Sequence, residues 1–233
     1  WEVRDPAELQ AIAEALAEVD AFYIADGHHR AASASRVRDL RRAANPDAPA
    51  TAPFERFLAV VFPHDQLCIL DYNRVAADLG DFTQSAFLTA LSDAFEVGPP
   101  GADPRPTRPG TFGMYLGGTW RRLTVLPGRV DPSDPVASLD VALLQDLVLA
   151  PLLGINDPRA DPRIDFVGGI RGTEALAQRV DAGDGVAFSM YATPIEALLA
   201  VADAGLVMPP KSTWFEPKLR SGLVVHPLDP DLL

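Results

Sequence analysis

The chain is poor in the features that mark secreted, membrane-spanning and polyanion-binding proteins. Its 233 residues include one cysteine, Cys68, which cannot form an internal disulfide and so argues against a secreted disulfide scaffold. No apolar run approaches the roughly 18 residues that a membrane-spanning helix needs. Acidic residues outnumber basic ones by 32 to 20, which disfavours nonspecific attraction to nucleic acid or to an anionic membrane. We therefore expect a cytoplasmic protein without membrane or nucleic-acid partners.

What is present is an ordinary globular composition with one basic segment. Hydrophobic residues make up 48% and charged residues 22% of the chain, which suffices for one large domain or two small ones. The net charge is −12, yet five arginines lie close together: Arg30, Arg36, Arg38, Arg41 and Arg42. An acidic protein with one basic patch suits a small anionic ligand, although such arginines more often form a solvated, salt-bridged surface. Cys68 lies in an apolar run and is expected to be buried.

The N-terminal part predicts a helix, a short strand and a second helix. Residues 6–19 carry apolar side chains at helical spacing, with Asp5 as the cap and Pro6 in the first turn. Residues 21–25 form a strand-like run. Residues 31–44 are rich in alanine and arginine and predict a helix. Residues 26–30 are therefore expected to form a strand-to-helix turn.

The remainder alternates between helical and strand-like segments. Two β-hairpins are predicted, one from residues 58–62 with 67–70 and one from residues 112–116 with 121–125 around two glycines. Helices are predicted over residues 85–95, 139–149, 173–180 and 194–204, strands over 164–167, 186–191 and 221–227, and a loop over 98–110. Because hairpins pair antiparallel strands, we predict an α+β fold with mixed, largely antiparallel sheets and packed helices.

The turn at residues 26–30, Asp-Gly-His-His-Arg, is the best candidate for chemistry. Free backbone N–H groups at a helix start attract anions, and Gly27 lets a ligand approach closely. Arg30 can contact a phosphate with two donors, and a histidine can donate a hydrogen bond or act as acid or base. Two alternatives stay open: a plain helix cap with solvent-facing histidines, and a zinc site, for which adjacent histidines lack the usual spacing.

The segment over residues 208–218, Met-Pro-Pro-Lys-Ser-Thr-Trp-Phe-Glu-Pro-Lys, is the second candidate. Its cations and hydroxyls suit phosphate binding, although the spacing is not that of a Walker loop. Glu216 could serve as a base or a metal ligand, and the aromatic pair could stack on a base or anchor the loop. A rigid structural loop held by three prolines explains the segment equally well.

Together these two segments resemble a known family. Tyr-Ile-Ala-Asp-Gly-His-His-Arg at residues 23–30 and Met-Pro-Pro-Lys-Ser-Thr-Trp-Phe-Glu-Pro-Lys-Leu-Arg-Ser-Gly-Leu at residues 208–223 resemble the signature stretches of the bacterial and archaeal domain-of-unknown-function family 1015. Residues 71–75 and 143–146 are similar to weaker landmarks of that family. The resemblance covers essentially the whole chain. Family members are longer at the N-terminus, so we expect this sequence to begin inside a longer protein.

The turn further resembles the ParB/sulfiredoxin superfamily, whose Gly-x-His-Arg and Gly-x-Arg-Arg turns bind nucleotide phosphates. The resemblance implies that Gly27, His29 and Arg30 contact phosphate and that Asp26 lies near the reacting group or a metal. The sulfiredoxin cysteine is absent from the turn, which disfavours sulfinic-acid reduction. Residues 1–48 would be the C-terminal part of such a domain, whose early strands would precede Trp1. Residues 49–233 would be an α+β domain that closes with the 208–218 loop.

These observations lead to one functional hypothesis and a rival. The hypothesis is a nucleotide- or phosphate-dependent enzyme that transfers a phosphoryl group, uses ATP or ADP with Mg²⁺ and acts on a small metabolite such as serine or phosphoserine. The predicted catalytic residues are Asp26, His28 and Glu216, with Asp26 also as the metal ligand; the predicted phosphate-binding residues are Gly27, His29, Arg30, Lys211, Ser212, Thr213 and Lys218. We further expect Arg30 and Lys211 to act on one ligand. The rival is a nucleotide-binding switch without turnover, and a purely structural partner protein is a third alternative. The oligomeric state is left open, with a homodimer among the possibilities.

Overall fold

In the computed structural model, which describes residues 1–220 and 222–228, the chain divides into two units. Unit 1 comprises Trp1–Val60 and the described part of Arg220–Leu233, and unit 2 comprises Val61–Leu219. The functional domains predicted over residues 1–48 and 49–233 stay predictions. Among the described helices, none combines the length and the apolar character that crossing a membrane requires.

Unit 1 contains two α-helices, α1 (Pro6–Ala17) and α2 (His28–Ala44), followed by a short 3₁₀ turn. Helix α1 begins as predicted, because the Asp5 carboxylate accepts hydrogen bonds from the N–H groups of Ala7 and Glu8 at 2.9 and 3.1 Å. This arrangement satisfies donors that a helix start otherwise leaves without partners. Neither helix has a buried residue.

The predictions of strands over residues 21–25 and 221–227, which both fall in unit 1, are wrong for the residues that the structure describes. Residues 21–25 are irregular and pair with no other strand, so the turn at residues 26–30 joins a loop to a helix. Residues 222–228 also form no strand, and Ser221 lies outside the described residues. An apolar run becomes a strand only where a second strand accepts and donates its backbone hydrogen bonds, and the described part of unit 1 offers none.

Unit 2 is built on a sheet of six strands. The strands are β2 (Tyr72–Ala76), β3 (Phe95–Val97), β4 (Thr111–Leu116), β5 (Thr119–Val125), β6 (Ile164–Gly168) and β7 (Val186–Ser189). Their order in the sheet is β3-β5-β4-β7-β2-β6, and all neighbouring strands are antiparallel. A separate two-stranded sheet pairs β1 (Cys68–Leu70) with β8 (Trp214–Glu216).

The helices of unit 2 follow the predicted positions with small shifts at their ends. They are α3 (Gln84–Leu91), α4 (Asp140–Leu144), α5 (Glu174–Asp181) and α6 (Ile195–Asp203), and a π-helical turn over Gln145–Leu149 continues α4. Together with the antiparallel sheets they confirm the predicted α+β class. The predicted loop over residues 98–110 is also confirmed.

One predicted hairpin is confirmed and the other is wrong. Strands β4 and β5 pair around Gly117 and Gly118, whose positive φ angles of 58° and 77° suit a tight two-residue turn. Residues 58–62, in contrast, form no strand, and β1 pairs with β8 so that Ile69 lies opposite Phe215. A local pattern identifies a strand but carries no information about a partner this far along the chain.

The core of unit 2 lies between the six-stranded sheet and its helices. Its largest fully buried side chains include Phe87, Phe95, Phe112, Phe188 and Leu144. The rings of Phe95 and Phe112 meet edge to face at 5.9 Å, a favourable aromatic geometry. The expectation that Cys68 is buried is wrong, because it begins the short strand β1 with its side chain exposed.

Asp140 is a half-buried acid at the start of α4. Its Oδ1 accepts a hydrogen bond from the N–H of Gly110 at 2.7 Å, whereas its buried Oδ2 has no hydrogen-bond partner among the described residues. Burial raises the pKa of Asp140 from its usual 3.8 to about 6. The unfolded chain therefore releases this proton at a lower pH than the folded chain, so stability should fall as the pH rises from about 4 to 6.

We expect Asp140→Asn to stabilise the protein at pH 7.5 by up to about 3 kcal/mol, since the amide keeps the acceptor for Gly110 and removes the buried charge. Below pH 4 this advantage should disappear. Urea unfolding of both proteins across this pH range measures the difference in the free energy of unfolding. Parallel stability curves for the two proteins would contradict the account.

Candidate functional site

The turn before α2 is built on Gly27. This residue is the N-cap of α2 with φ 85° and ψ 27°, a left-handed conformation that glycine adopts without steric cost. Its N–H donates a hydrogen bond to Oδ1 of Asp26 at 2.8 Å, and its carbonyl accepts the first helical hydrogen bond, from Ala31 at 2.9 Å. The bend at Gly27 thus determines where the helix begins.

The start of α2 carries no side-chain cap. The N–H groups of the first helical turn are among the donors that a helix leaves unpaired, and the positive end of the helix dipole lies there. The guanidinium of Arg30 folds back over Gly27, with Nε and one Nη each 3.4 Å from the position a Cβ on Gly27 would take. Within the described residues Arg30 forms no hydrogen bond or ion pair. His28, His29 and Arg30 are all exposed.

Three other arginines of α2, Arg38, Arg41 and Arg42, have protein partners, whereas Arg36 forms no hydrogen bond or ion pair within the described residues. Arg38 contacts a carboxylate oxygen of Glu55 at 3.0 Å, and Arg42 forms a second ion pair with the same residue. The hydrogen bond from Arg38 holds the pKa of Glu55 below its usual value. A guanidinium of Arg41 also donates to the carbonyl of Leu228 at 3.2 Å. The salt-bridged surface is therefore confirmed for Arg38 and Arg42. Arg30, like Arg36, has no protein acceptor within the described residues, but only Arg30 lies at the helix start over Gly27.

The second predicted segment lies in unit 2 and includes β8. Trp214 donates its indole N–H to Oε1 of Glu216 at 2.8 Å, and the backbone N–H of Lys218 donates to Oε2 at 3.1 Å. Both carboxylate oxygens of Glu216 are thus held in a fixed direction. The ammonium of Lys218 lies 5.3 Å from the ring centroid of Trp214, within cation–π range.

A buried arginine, Arg74, holds the first part of this segment. Its guanidinium donates to the carbonyl of Lys211 at 2.9 Å and to that of Tyr72, and it packs over the Phe166 ring at 5.2 Å. Burial lowers the pKa of Arg74 to about 10, so it stays cationic at neutral pH. Lys211 has a positive φ of 58°, and its ammonium lies 5.6 Å from the ring centroid of Tyr72.

One of the two hydroxyl groups of the segment, that of Ser212, is used inside the loop. Ser212 is buried and donates its hydroxyl to the carbonyl of Pro209 at 2.5 Å, while Thr193 donates to the carbonyl of Ser212 at 3.0 Å. Thr213 is half-buried. These contacts agree with the alternative of a rigid loop, in which the backbone is held in place by hydrogen bonds.

The predicted site residues therefore form two local groups. Asp26, Gly27, His28, His29 and Arg30 belong to unit 1, whereas Lys211, Ser212, Thr213, Glu216 and Lys218 belong to unit 2. No group of three or more His, Cys, Asp or Glu residues that could hold a metal occurs in the described ranges. In the sequence Arg74 stands out only as part of the family landmark at residues 71–75, and its support of the loop follows from the structure.

Comparison with known proteins gives the family. A family model described as "Protein of unknown function (DUF1015)" matches residues 1–142. The chain belongs to this family. Among curated proteins none matches the sequence.

Solved structures of free serine kinase are similar to this chain at low sequence identity. Free serine kinase in complex with AMP is 14% identical with a TM-score of 0.47, and the match covers 91% of this chain and 81% of that one. A variant of it in complex with AMP is 15% identical with a TM-score of 0.48, covering 92% and 82% of the two chains. A further variant in complex with ADP is 16% identical with a TM-score of 0.46, covering 91% and 81%.

We expect Arg74→Met to loosen the 208–218 loop, because the substitution leaves the carbonyl groups of Tyr72 and Lys211 without their donor. The free energy of unfolding should fall by about 2–4 kcal/mol, the cost of two buried groups losing a charged partner. Hydrogen–deuterium exchange should accelerate in peptides covering residues 208–218.

The matched control is Arg122→Met, since Arg122 also donates to two carbonyl groups, those of Asp103 and Arg105, but in another loop. This variant should leave exchange in residues 208–218 unchanged. Equal exchange in the Arg74 variant and the unmodified protein would show that Arg74 does not support the loop.

Proposed function

We propose that the protein binds the phosphate groups of a nucleotide at the turn formed by residues 26–30. The observation that supports this most strongly is the guanidinium of Arg30, which lies over Gly27 beside an uncapped helix start and pairs with no described residue. A phosphate at this position would receive charge-assisted hydrogen bonds from Arg30 and backbone hydrogen bonds from the first turn of α2.

The local geometry supports a role for each residue of the turn. Gly27 has no side chain that would keep a phosphate away from the backbone. His29 and Arg30 are exposed next to it and would supply donors, while His28 would exchange a proton near neutral pH. Asp26 would hold Mg²⁺ together with the phosphates, since Mg²⁺ is usually bound through one or two carboxylates plus phosphate oxygens and water.

We further propose that the protein is a phosphotransferase acting on a small metabolite such as serine or phosphoserine. Phosphoryl transfer depends mainly on positioning and charge neutralisation. Lys211 and Lys218, the only lysines of the chain, would neutralise charge. Ser212, whose hydroxyl is used inside the loop, would contribute its backbone N–H, and Thr213 a backbone or hydroxyl donor. Glu216 would accept a proton on an oxygen that gives up its hydrogen bond from Trp214 or Lys218. The role of this segment rests on family likeness and on its preformed backbone.

One observation favours a second candidate, a nucleotide-binding switch without turnover. Oδ1 of Asp26 accepts the N–H of Gly27 and so helps to build the turn. A carboxylate used in this way is less available as a base or metal ligand. In a switch, nucleotide binding would order the turn without chemistry.

Arg30→Ala should weaken ADP binding by 10-fold to 100-fold, since a hydrogen bond to a charged group contributes about 1.5–3 kcal/mol. Isothermal titration with ADP, ATP and phosphoserine measures the effect. Arg36→Ala is the matched control, because Arg36 is an exposed arginine of the same helix and should leave affinity within twofold. Absence of heat with all three ligands, or unchanged affinity in the Arg30 variant, would contradict the proposal.

Turnover separates the two candidates. An enzyme should release multiple equivalents of product in a coupled assay with ATP or ADP and serine, and Lys211→Ala and Glu216→Gln should lower kcat by at least tenfold. A switch should bind nucleotide with unchanged affinity in these variants and form no product. The ADP affinities of Arg30→Ala, Lys211→Ala and the double variant test whether both residues act on the same ligand. If they do, the loss of binding free energy in the double variant should differ from the sum of the two single losses.

A further inference from the structure

Unit 2 contains a cleft of about 200 Å³ that the sequence does not reveal. Its polar lining includes Asp71, Arg105, Thr173 and Tyr191, and its floor includes Gly169 and Gly172. Asp71 directly precedes β2, and Gly169 directly follows β6, which is antiparallel to β2. Strand β7 is also antiparallel to β2 and ends just before Met190. The antiparallel strand directions therefore bring the start of β2 and the ends of β6 and β7 to the same end of the sheet.

The carboxylate of Asp71 is held in one orientation. Asn73, which is fully buried, donates its amide to Oδ2 of Asp71 at 2.5 Å and accepts the N–H of Met190 at 2.8 Å. The other oxygen, Oδ1, lies so close to Gly169 that a Cβ added to this glycine would be only 2.0 Å from it. Any residue other than glycine at position 169 would displace this carboxylate. Asp71 is thus a fixed acceptor at the wall of the cleft.

A cation lines the same cleft on a different loop. The backbone of Arg105 is anchored twice, through its N–H to Oδ1 of Asp103 at 2.9 Å and through its carbonyl to Arg122 at 3.0 Å. Its guanidinium has no partner within the described residues, and no ion pair joins it to Asp71. The hydroxyl groups of Thr173 and Tyr191 likewise have no partner in the described part of the chain.

We propose that this cleft binds a small organic acid that also carries an ammonium or hydroxyl group. The acid group pairs with the guanidinium of Arg105, and the ammonium or hydroxyl group donates to the carboxylate of Asp71. Opposite charges that line one cleft without contacting each other are complementary to such a ligand, and the hydroxyl groups of Thr173 and Tyr191 supply further hydrogen bonds. The site uses no residue of the turn at positions 26–30, so it does not depend on the proposed nucleotide site.

Four molecules of nearly equal size test this chemistry: L-alanine, L-lactate, propionate and isopropylamine. Alanine and lactate carry both groups, propionate carries only the acid, and isopropylamine only the ammonium. NMR titration of the ¹⁵N-labelled protein, followed at the amides of Gly169 and Gly172, measures the affinities. Alanine or lactate should bind at least tenfold more tightly than propionate and isopropylamine, since losing one charged hydrogen bond costs about that factor.

Variants then assign the binding to the two charged residues. Arg105→Ala should weaken binding of the acids at least tenfold, whereas Arg108→Ala, a matched arginine from the same loop that does not line the cleft, should not. Asp71→Asn should weaken alanine binding, and Thr173→Val provides a milder second change should the Asp71 variant fail to fold. Arg30→Ala should leave all four affinities unchanged, which separates this site from the nucleotide site.

Three results would overturn the proposal. The first is that neither alanine nor lactate binds when its concentration is raised from 50-fold the protein concentration to its solubility limit. The second is a propionate or isopropylamine affinity equal to that of the better bifunctional ligand. The third is equal binding in the Arg105→Ala and Arg108→Ala variants.

Discussion

The left-handed conformation of Gly27 determines the geometry of the candidate nucleotide site. It ends the preceding loop, begins α2 at His28 and leaves room for the guanidinium of Arg30 to fold back over the turn. A side chain at position 27 would strain this backbone, because φ is 85°. The exposed donors at the helix start and the cation beside them both follow from this one bend. Neither histidine is needed to hold the turn in shape.

In unit 2, buried polar side chains of strand β2 hold other polar groups in place at one end of the antiparallel sheet. Arg74 holds the backbone at Lys211, and Asn73, its neighbour in β2, orients Asp71. Successive strand residues point to opposite faces, so adjacent buried polar side chains serve two neighbouring regions. The hydrogen bonds from Arg74 to Lys211 and from Asn73 to Asp71 both depend on burial, since a buried hydrogen bond exchanges less readily with water than an exposed one. The 208–218 loop and the cleft are therefore supported by the same strand.

The sequence predicted those parts of the fold that depend on local interactions. The cap at Asp5, the helix over α2 and the hairpin at Gly117 and Gly118 each follow from a few neighbouring residues. The pairing of β1 with β8 joins segments far apart in the chain, and no local pattern encodes it. Residues 21–25 have strand composition but lack a strand partner in the described structure, which is why the prediction failed there.

The same distinction applies to the candidate sites. Asp-Gly-His-His-Arg is contiguous, so the sequence could identify the turn and its chemistry. The cleft combines Asp71, Arg105, Thr173 and Tyr191 from four separate segments, and only the sheet topology shows that they line one space. The signal that could have indicated it is the glycine pair at the end of β6, Gly168 within the strand and Gly169 directly after it, because glycine there permits close approach of a side chain.

The most direct test of the central claim is the response of individual backbone amides to ADP. In the ¹⁵N-labelled protein, the account predicts that the amide resonances of His28, His29 and Arg30 shift most on titration, moving downfield as the amides donate to phosphate. Resonances in the middle of α2, near Arg36, should move little. Saturable ADP binding that leaves the three amides unshifted and perturbs other residues would contradict the account.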